Sequence, residues 1–133
     1  MVTWTKTKAF ASFGTVCKNH RWSWSGRSGD GKTVALTFWT DGFVDFRARP
    51  IIYQDVGWTD PATVNRPGNR ERMENIQWAL DNLGGLVRVV VAKAKDPLME
   101  PREIDECYPQ PNLIMRIASF DDRTGEWSAH SVE

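Results

Sequence analysis

The spacing of hydrophobic and polar residues changes along this chain of 133 residues. From about residue 15 to Pro50 it is typical of strands: KTVALTFWT (32–40) is rich in β-branched and aromatic residues, and FVDFRA (43–48) follows a strict period of two. This period predicts strands with one buried face. Asp41-Gly42 between the two segments predicts a tight hairpin, because such turns need residues that tolerate positive φ. The first half is therefore expected to be a β-meander that ends at Pro50.

A helical period follows at 69–83. Its apolar positions fall on one side and predict the face that packs on a sheet: Met73, Ile76, Ala79, Leu80 and Leu83. Asn69 is expected to cap this helix and Gly84-Gly85 to end it. Residues 54–68 before it are rich in turn formers and predict the longest loop.

The remaining segments complete the predicted sheet. LVRVVVAK (86–93) is almost continuously apolar, which is typical of a central strand, and LIMRIASF (113–120) predicts another. Between them the sequence leaves room for a short helix at 102–107, and 121–125 predicts the turn of a terminal hairpin. The predicted fold is a single α+β domain over 1–133. It has a strongly bent, mostly antiparallel sheet of six to seven strands and one main amphipathic helix (about 69–83), and closure into a small barrel is left open.

Charge is unevenly distributed although the formal net charge is zero. Residues 1–66 hold nine Lys/Arg against five Asp/Glu, and residues 67–133 hold eight against twelve. A basic, aromatic-rich half indicates an anionic partner. Two cysteines are too few for a disulfide scaffold, and neither a secretory leader nor a membrane span is recognisable, so a cytoplasmic location is expected. No cofactor is indicated.

The segment GRSGDGKT (26–33) matches the phosphate-binding loop pattern G-x-x-x-x-G-K-[ST]. That loop works between a buried strand and a helix, whose free amides converge on the phosphates. Here HRWSWS precedes the glycines and the strand-like VALTFWT follows them. We therefore interpret the segment as a glycine-rich hairpin loop.

Two segments carry the candidate binding residues. In KNHRWSWSGR (18–27), indoles that could stack on bases alternate with cations that could meet phosphates, although the same indoles could equally be core residues. In PGNRERM (67–73), the start of the helix and its arginines form a candidate anion seat, with Asn69 as a reader of a base edge; a simple helix cap is the alternative. The candidate ligand-binding residues are Lys18, Arg21, Trp22, Trp24, Arg27, Lys32, Trp39, Asn69 and Arg70.

Metal and catalytic sites have little support in the sequence. Only Cys17 and His20 have ligand-like spacing, so no metal site is predicted. Neither cysteine lies in a local sequence typical of an activated thiol. The acids of the basic half sit largely in turn-like contexts, so an enzyme is the less favoured reading, with Asp45, Asp55 or His20 as its candidate residues.

The order of elements over residues 38–120 resembles that of SRA-like and other PUA-like pseudo-barrel domains. The letters that match are Gly68, Asn69 and Arg70. The resemblance implies a bent sheet that cradles a flipped or modified base, or binds RNA. We therefore predict a non-catalytic binding module for nucleic acid or a nucleotide-like ligand through a basic, Trp-rich sheet face. The alternatives are a structural or protein-interaction domain that forms homo-oligomers and, second, a small enzyme with an acidic cleft.

Overall fold

The computed structural model describes residues 4–19, 23–45, 47–55, 66–96 and 104–132. Two helices and seven strands are formed in these ranges. In chain order they are α1 (Lys6–Ala11), β1 (Thr15–Val16), β2 (Ser25–Ser28), β3 (Val34–Trp39), β4 (Ile52–Asp55), α2 (Pro67–Asn82), β5 (Leu86–Ala94), β6 (Ile104–Phe120) and β7 (Trp127–Ser131). Among the described residues, no helix has the length and apolar character needed to cross a bilayer.

All seven strands belong to one mixed sheet in the order β1-β2-β3-β5-β6-β7-β4. Neighbouring strands are antiparallel except β3 and β5, which are parallel because the chain returns to the sheet through α2. The predicted α+β class with one main helix and six to seven strands is confirmed. The sheet is open among the described residues, with β1 and β4 at its two ends. Closure into a barrel is therefore not found there.

The two faces of the sheet carry separate hydrophobic clusters. One lies under α2 and contains Ile76 and Ala79 of that helix, together with the aromatic side chains of Phe38 and Trp127. The other lies under α1 and contains Ala9 and Phe10, with Trp39 from β3. Successive residues of a strand point to opposite faces, so β3, buried along its whole length, contributes to both clusters.

The predicted hairpin at Asp41-Gly42 is wrong. Residues Thr40–Gly42 form a 3₁₀ turn, and Phe43 makes only an isolated bridge to Tyr53. The edge of β3 that a hairpin partner would occupy is taken by the parallel strand β5. Gly42 has a different role, because a Cβ there would lie 2.5 Å from Cε1 of Tyr53. By contrast, the glycine-rich loop over 26–33 does join the antiparallel strands β2 and β3, as expected.

The helices also depart from the predicted boundaries. α2 begins at Pro67, two residues earlier than expected, and Asn69 therefore lies inside its first turn rather than at the cap. The helix ends at Asn82, and Gly84 follows in the left-handed region with φ +64°, in agreement with the predicted stop at Gly84-Gly85. Residues 104–107, expected to be helical, belong to β6. The short helix α1 was not predicted; it is capped by Thr5, whose Oγ1 accepts a hydrogen bond from the amide of Lys8 at 3.2 Å.

Part of the α1 side of the sheet remains accessible. The register places His130 of β7 between Arg116 of β6 and Ile52 of β4, and Ser128 between Ser119 and Gln54. These six side chains are exposed or half-buried. We call them the open sheet face.

Candidate functional site

Helix α2 buries polar side chains in its first half and apolar ones in its second. The polar set is Asn69, Glu71, Arg72 and Asn75. The buried apolar residues that follow are Ile76 and Ala79, whereas Leu80, predicted to face inward, is 38% exposed. A helix that packs polar groups against a sheet must satisfy each of them with a partner. Their partners therefore define the candidate site.

Arg72 lies at the centre of this polar cluster. Its Nη1 is 3.4 Å from Oδ2 of Asp55, at the end of β4, and its Nη2 donates to Oδ1 of Asn69 at 2.9 Å. The side chains of Arg72 and Asp55 are only 6% and 11% exposed. A Cβ on Gly125 would lie 3.2 Å from Nδ2 of Asn69, so the β6–β7 turn closes directly on the amide. We call Asp55, Asn69, Arg72 and Trp127 the α2 polar cluster; Trp127 lies directly opposite Asp55 on β7.

Tyr53 connects this cluster to the end of β3. Its hydroxyl donates to Oδ2 of Asp55 at 3.1 Å and accepts a hydrogen bond from the amide of Trp39 at 3.0 Å. Burial, and then the negative charge of Asp55, raise the pKa of Tyr53 well above its usual range. The phenol therefore keeps its proton, which the hydrogen bond to Asp55 requires.

Two donors of the cluster have no hydrogen-bond partner in the part of the chain that the structure describes. They are Nε of Arg72 and Nε1 of Trp127, both fully enclosed by protein. Trp127 is packed between aromatic rings, with Tyr53 at 5.0 Å and Phe38 at 5.1 Å between ring centroids. An unpaired buried donor costs about 1–3 kcal/mol, and folded proteins contain few of them. Five buried side-chain atoms lack a partner among the described residues, and two of them, both donors, belong to this cluster.

Two of the predicted binding residues, Arg27 and Lys18, hold α2 against the edge of the sheet. The guanidinium of Arg27 stacks on the ring of Trp78 at 4.4 Å, and its Nε donates to Oδ1 of Asn75 at 3.1 Å. The amide of Lys18 donates to Glu71 at 3.1 Å, and its ammonium lies 3.4 Å from Glu74. These two cations therefore have structural contacts that the sequence did not indicate.

Two of the three predicted indoles lie on the opposite side of the sheet. Trp24 and Trp39 pack against each other in the α1 cluster, with ring centroids 5.3 Å apart, and the ammonium of Lys6 lies 4.6 Å above Trp24. Burial lowers the pKa of Lys6. Trp24 and Trp39 therefore lie on the α1 side of the sheet, whereas the side chain of Arg27 contacts α2.

The other predicted residues have simpler surroundings. Lys32 is exposed in the β2–β3 loop, where its amide donates to Asp30 at 3.0 Å. Arg70 is exposed on the first turn of α2, next to the buried Asn69. Arg21 and Trp22 lie outside the described residues.

Asp45 and Asp55, the two candidate catalytic acids that the structure describes, have different surroundings. Asp45 is exposed and accepts a hydrogen bond from the amide of Arg47 at 2.8 Å, whereas Asp55 is occupied by Tyr53 and Arg72. His20 lies outside the described residues. Both cysteines are free thiols, and burial raises the pKa of Cys17 to about 11. Among the described residues, no group of three or more His, Cys, Asp and Glu is placed to hold a metal ion.

The sequence contained one overlooked signal for this site. Position 72 is four residues before Ile76 and seven before Ala79, so an arginine there must share their inward side. Trp127 and Asp55 had no local signal, because only the β4–β7 pairing brings them together. Comparisons with protein-family models, with curated proteins and with solved structures gave no match.

Proposed function

We propose that this chain is a non-catalytic binding module for a nucleotide unit, either free or within a nucleic-acid strand, and that the unit binds at the start of α2. The observation that carries the proposal is the pair of unpaired donors in the α2 polar cluster, Arg72 Nε and Trp127 Nε1. A ligand that supplies acceptors to them would remove their desolvation penalty.

The buried ion pair points in the same direction. Placing Arg72 and Asp55 in the interior requires desolvation of two charges, and an apolar pair of the same volume is often as stable or more so. The cluster is therefore better explained by recognition than by stability.

Exposed cations beside the cluster suit the phosphate of the ligand. Arg66 and Arg70 both lie at the start of α2 and are exposed. Free backbone amides at a helix start add a positive partial charge, which favours an anion there. The base would then face the enclosed cluster and the phosphate would face these arginines.

The likeness to SRA-like and PUA-like domains belongs to this proposal. The three residues that carry it, Gly68, Asn69 and Arg70, lie in the first turn of α2, where we place the ligand. Because the sheet is open among the described residues, the likeness concerns this junction and not a closed barrel.

The proposal is tested by titrating the protein with ten-residue single-stranded DNA and RNA and with the common mononucleotides, at two salt concentrations. We expect affinity that falls as salt rises, because phosphate contacts release counterions. The double variant Arg66→Gln/Arg70→Gln should bind at least about tenfold more weakly. The matched control is Arg47→Gln/Arg116→Gln, which removes two exposed arginines that do not lie at the start of α2. Binding of no nucleotide or strand, or equal losses in both double variants, would overturn the proposal.

A protein-interaction module is the second candidate function. It is favoured by two exposed aliphatic side chains, Ile52 (41%) of the open sheet face and Val44 (63%), which are neighbours through the hydrogen bond from Val44 N to Ile52 O at 2.9 Å. A molecular mass that rises with protein concentration, and that Ile52→Lys holds at the monomer value, would select this function. A constant monomer mass would reject self-association.

A further inference from the structure

The two unpaired atoms of the α2 polar cluster, Arg72 Nε and Trp127 Nε1, are both hydrogen donors. The unpaired Oε1 of Glu71 lies outside this cluster, on the carboxylate that accepts a hydrogen bond from the amide of Lys18. The other two nitrogens of the Arg72 guanidinium are engaged, Nη1 with Asp55 and Nη2 with Asn69, which leaves only Nε. The indole nitrogen of Trp127 can only donate. A ligand group that satisfies both atoms must therefore be an acceptor. A ligand group that presents an N–H to them would leave both protein donors and its own N–H unpaired.

The charge of the cluster argues against a phosphate at the same position. Asp55 lies 3.4 Å from the guanidinium and offsets its charge, and both side chains are almost completely enclosed. An anion placed beside them would lose its hydration without gaining a free cation, which is unfavourable in a low-dielectric interior. The acceptor is therefore a neutral one.

The surroundings favour a flat group. Trp127 is flanked by the rings of Tyr53 and Phe38, and Gly125 presents bare backbone to Asn69. The half-buried Met73, whose Sδ lies 3.5 Å from Nδ2 of Asn69, has a flexible thioether that can move aside at low cost. A planar ring with a neutral acceptor edge matches these features.

We infer that the cluster selects bases that carry an exocyclic carbonyl over bases that carry an exocyclic amino group at the same ring position: hypoxanthine or guanine over adenine, and uracil over cytosine. This inference rests on the proposed function, because it names the ligand class of the same site. The carbonyl oxygen accepts from Arg72 Nε or Trp127 Nε1, whereas an amino group would present its own N–H to them. Base-edge contacts of this kind discriminate by about tenfold or more per base.

The test compares ligands that differ at the exocyclic group and at the ring nitrogen next to it, which carries a proton in the carbonyl member and none in the amino member. Inosine and adenosine monophosphates are titrated at one salt concentration, and uridine and cytidine monophosphates likewise, so that phosphate contacts cancel within each pair. We expect the carbonyl member of each pair to bind at least about tenfold more tightly. Equal affinities within both pairs would overturn the inference and leave the proposed function standing. Binding by none of the four, nor by any strand, would overturn the proposed function itself.

A second measurement isolates the indole donor. In one variant the N–H of Trp127 is replaced by sulfur through 3-benzothienylalanine, which keeps the ring shape. The control carries the same replacement at Trp78, whose N–H donates to the carbonyl of Gly31 at 2.8 Å. We expect the change at position 127 to reduce the preference for inosine monophosphate without lowering the unfolding midpoint. The change at position 78 should lower the unfolding midpoint and leave the preference unchanged. An unchanged preference in the first variant and in Arg72→Lys would overturn the inference.

Discussion

The two helices pack on opposite faces of one sheet by different physical means. α1 buries Ala9 and Phe10 against a cluster that includes Ala35, Val90 and Ala92, so its contact is apolar throughout. The first half of α2 buries Asn69, Glu71, Arg72 and Asn75, and each meets a polar group of the sheet edge, of a loop or of the helix itself.

This difference teaches that burial does not have the same meaning at the two helices. The burial of Phe10 removes apolar area from water and stabilises the fold in proportion to that area. At α2 the hydrogen bonds and the ion pair largely replace interactions with water, so their net contribution is small. Glu71 illustrates the cost, since its Oε1 is buried without a partner among the described residues. α1 therefore contributes mainly to stability, and the first half of α2 is where we propose that recognition takes place.

The largest expected effect is on the apolar side. Phe10→Ala removes a side chain that is 1% exposed and should lower the free energy of unfolding by about 3–5 kcal/mol. Urea denaturation followed by circular dichroism measures this change. Val16→Ala serves as the control, because that side chain is 69% exposed and its loss should cost less than about 0.5 kcal/mol. A loss below about 1 kcal/mol for Phe10→Ala would show that α1 is not anchored by this residue.

The next effect comes from breaking the ion pair of α2. Arg72→Met leaves Asp55 buried without its cation and should lower the free energy of unfolding by about 3 kcal/mol, because an uncompensated buried charge is strongly destabilising. Asp55→Asn keeps the acceptor for Tyr53 and removes the charge. In the Asp55→Asn/Arg72→Met double variant the loss should be smaller than the sum of the single losses by about 1 kcal/mol or more. Strictly additive losses in urea denaturation would mean that the two charges do not interact.

The sequence predicted elements whose signals are local. The apolar run that became β5, the terminal hairpin with Gly125 at φ +79°, and the glycines that end α2 all formed as expected. Asp41-Gly42 misled because its signal fits a 3₁₀ turn as well as a hairpin, and the pairing of β3 with β5 was decided by a segment almost fifty residues away. Long-range pairing of this kind leaves no trace in local periodicity.

The candidate site was only partly predictable for a related reason. The predicted apolar stripe included Ile76 and Ala79, which are buried, and Leu80, which is exposed. It left out Arg72 and Asn75, which are buried as well. A polar residue on the inward side of a helix looks like a solvent-facing one when only hydrophobic positions are counted. The sequence drew attention to the start of α2, because its arginines and Asn69 stood out in PGNRERM, and the buried polar cluster lies at the same place. That Asn69 and Arg72 are buried follows from the packing of α2 on the sheet and could not be predicted from the local sequence.

The smallest expected effect is on the titration of Cys17, which tests whether charged residues of both helices act on the same group. Cys17 packs against the α1 cluster, and its pKa is raised to about 11 by burial and then by the charge of Glu71 on α2, while Lys6 on α1 lowers it. Since the folded state favours the thiol, the stability from this group is complete below the unfolded pKa near 9 and is lost as pH rises toward 11. Because only the thiolate is alkylated, the rate with iodoacetamide should reach half its maximum near pH 11 in the folded protein and near pH 9 in urea. Glu71→Gln should move the folded midpoint down and Lys6→Met should move it up, with peptide mass spectrometry separating Cys17 from Cys107. A midpoint near pH 9 in the folded protein would show that Cys17 is not buried. A midpoint that neither Glu71→Gln nor Lys6→Met changes would show that the charges of the two helices do not act on it.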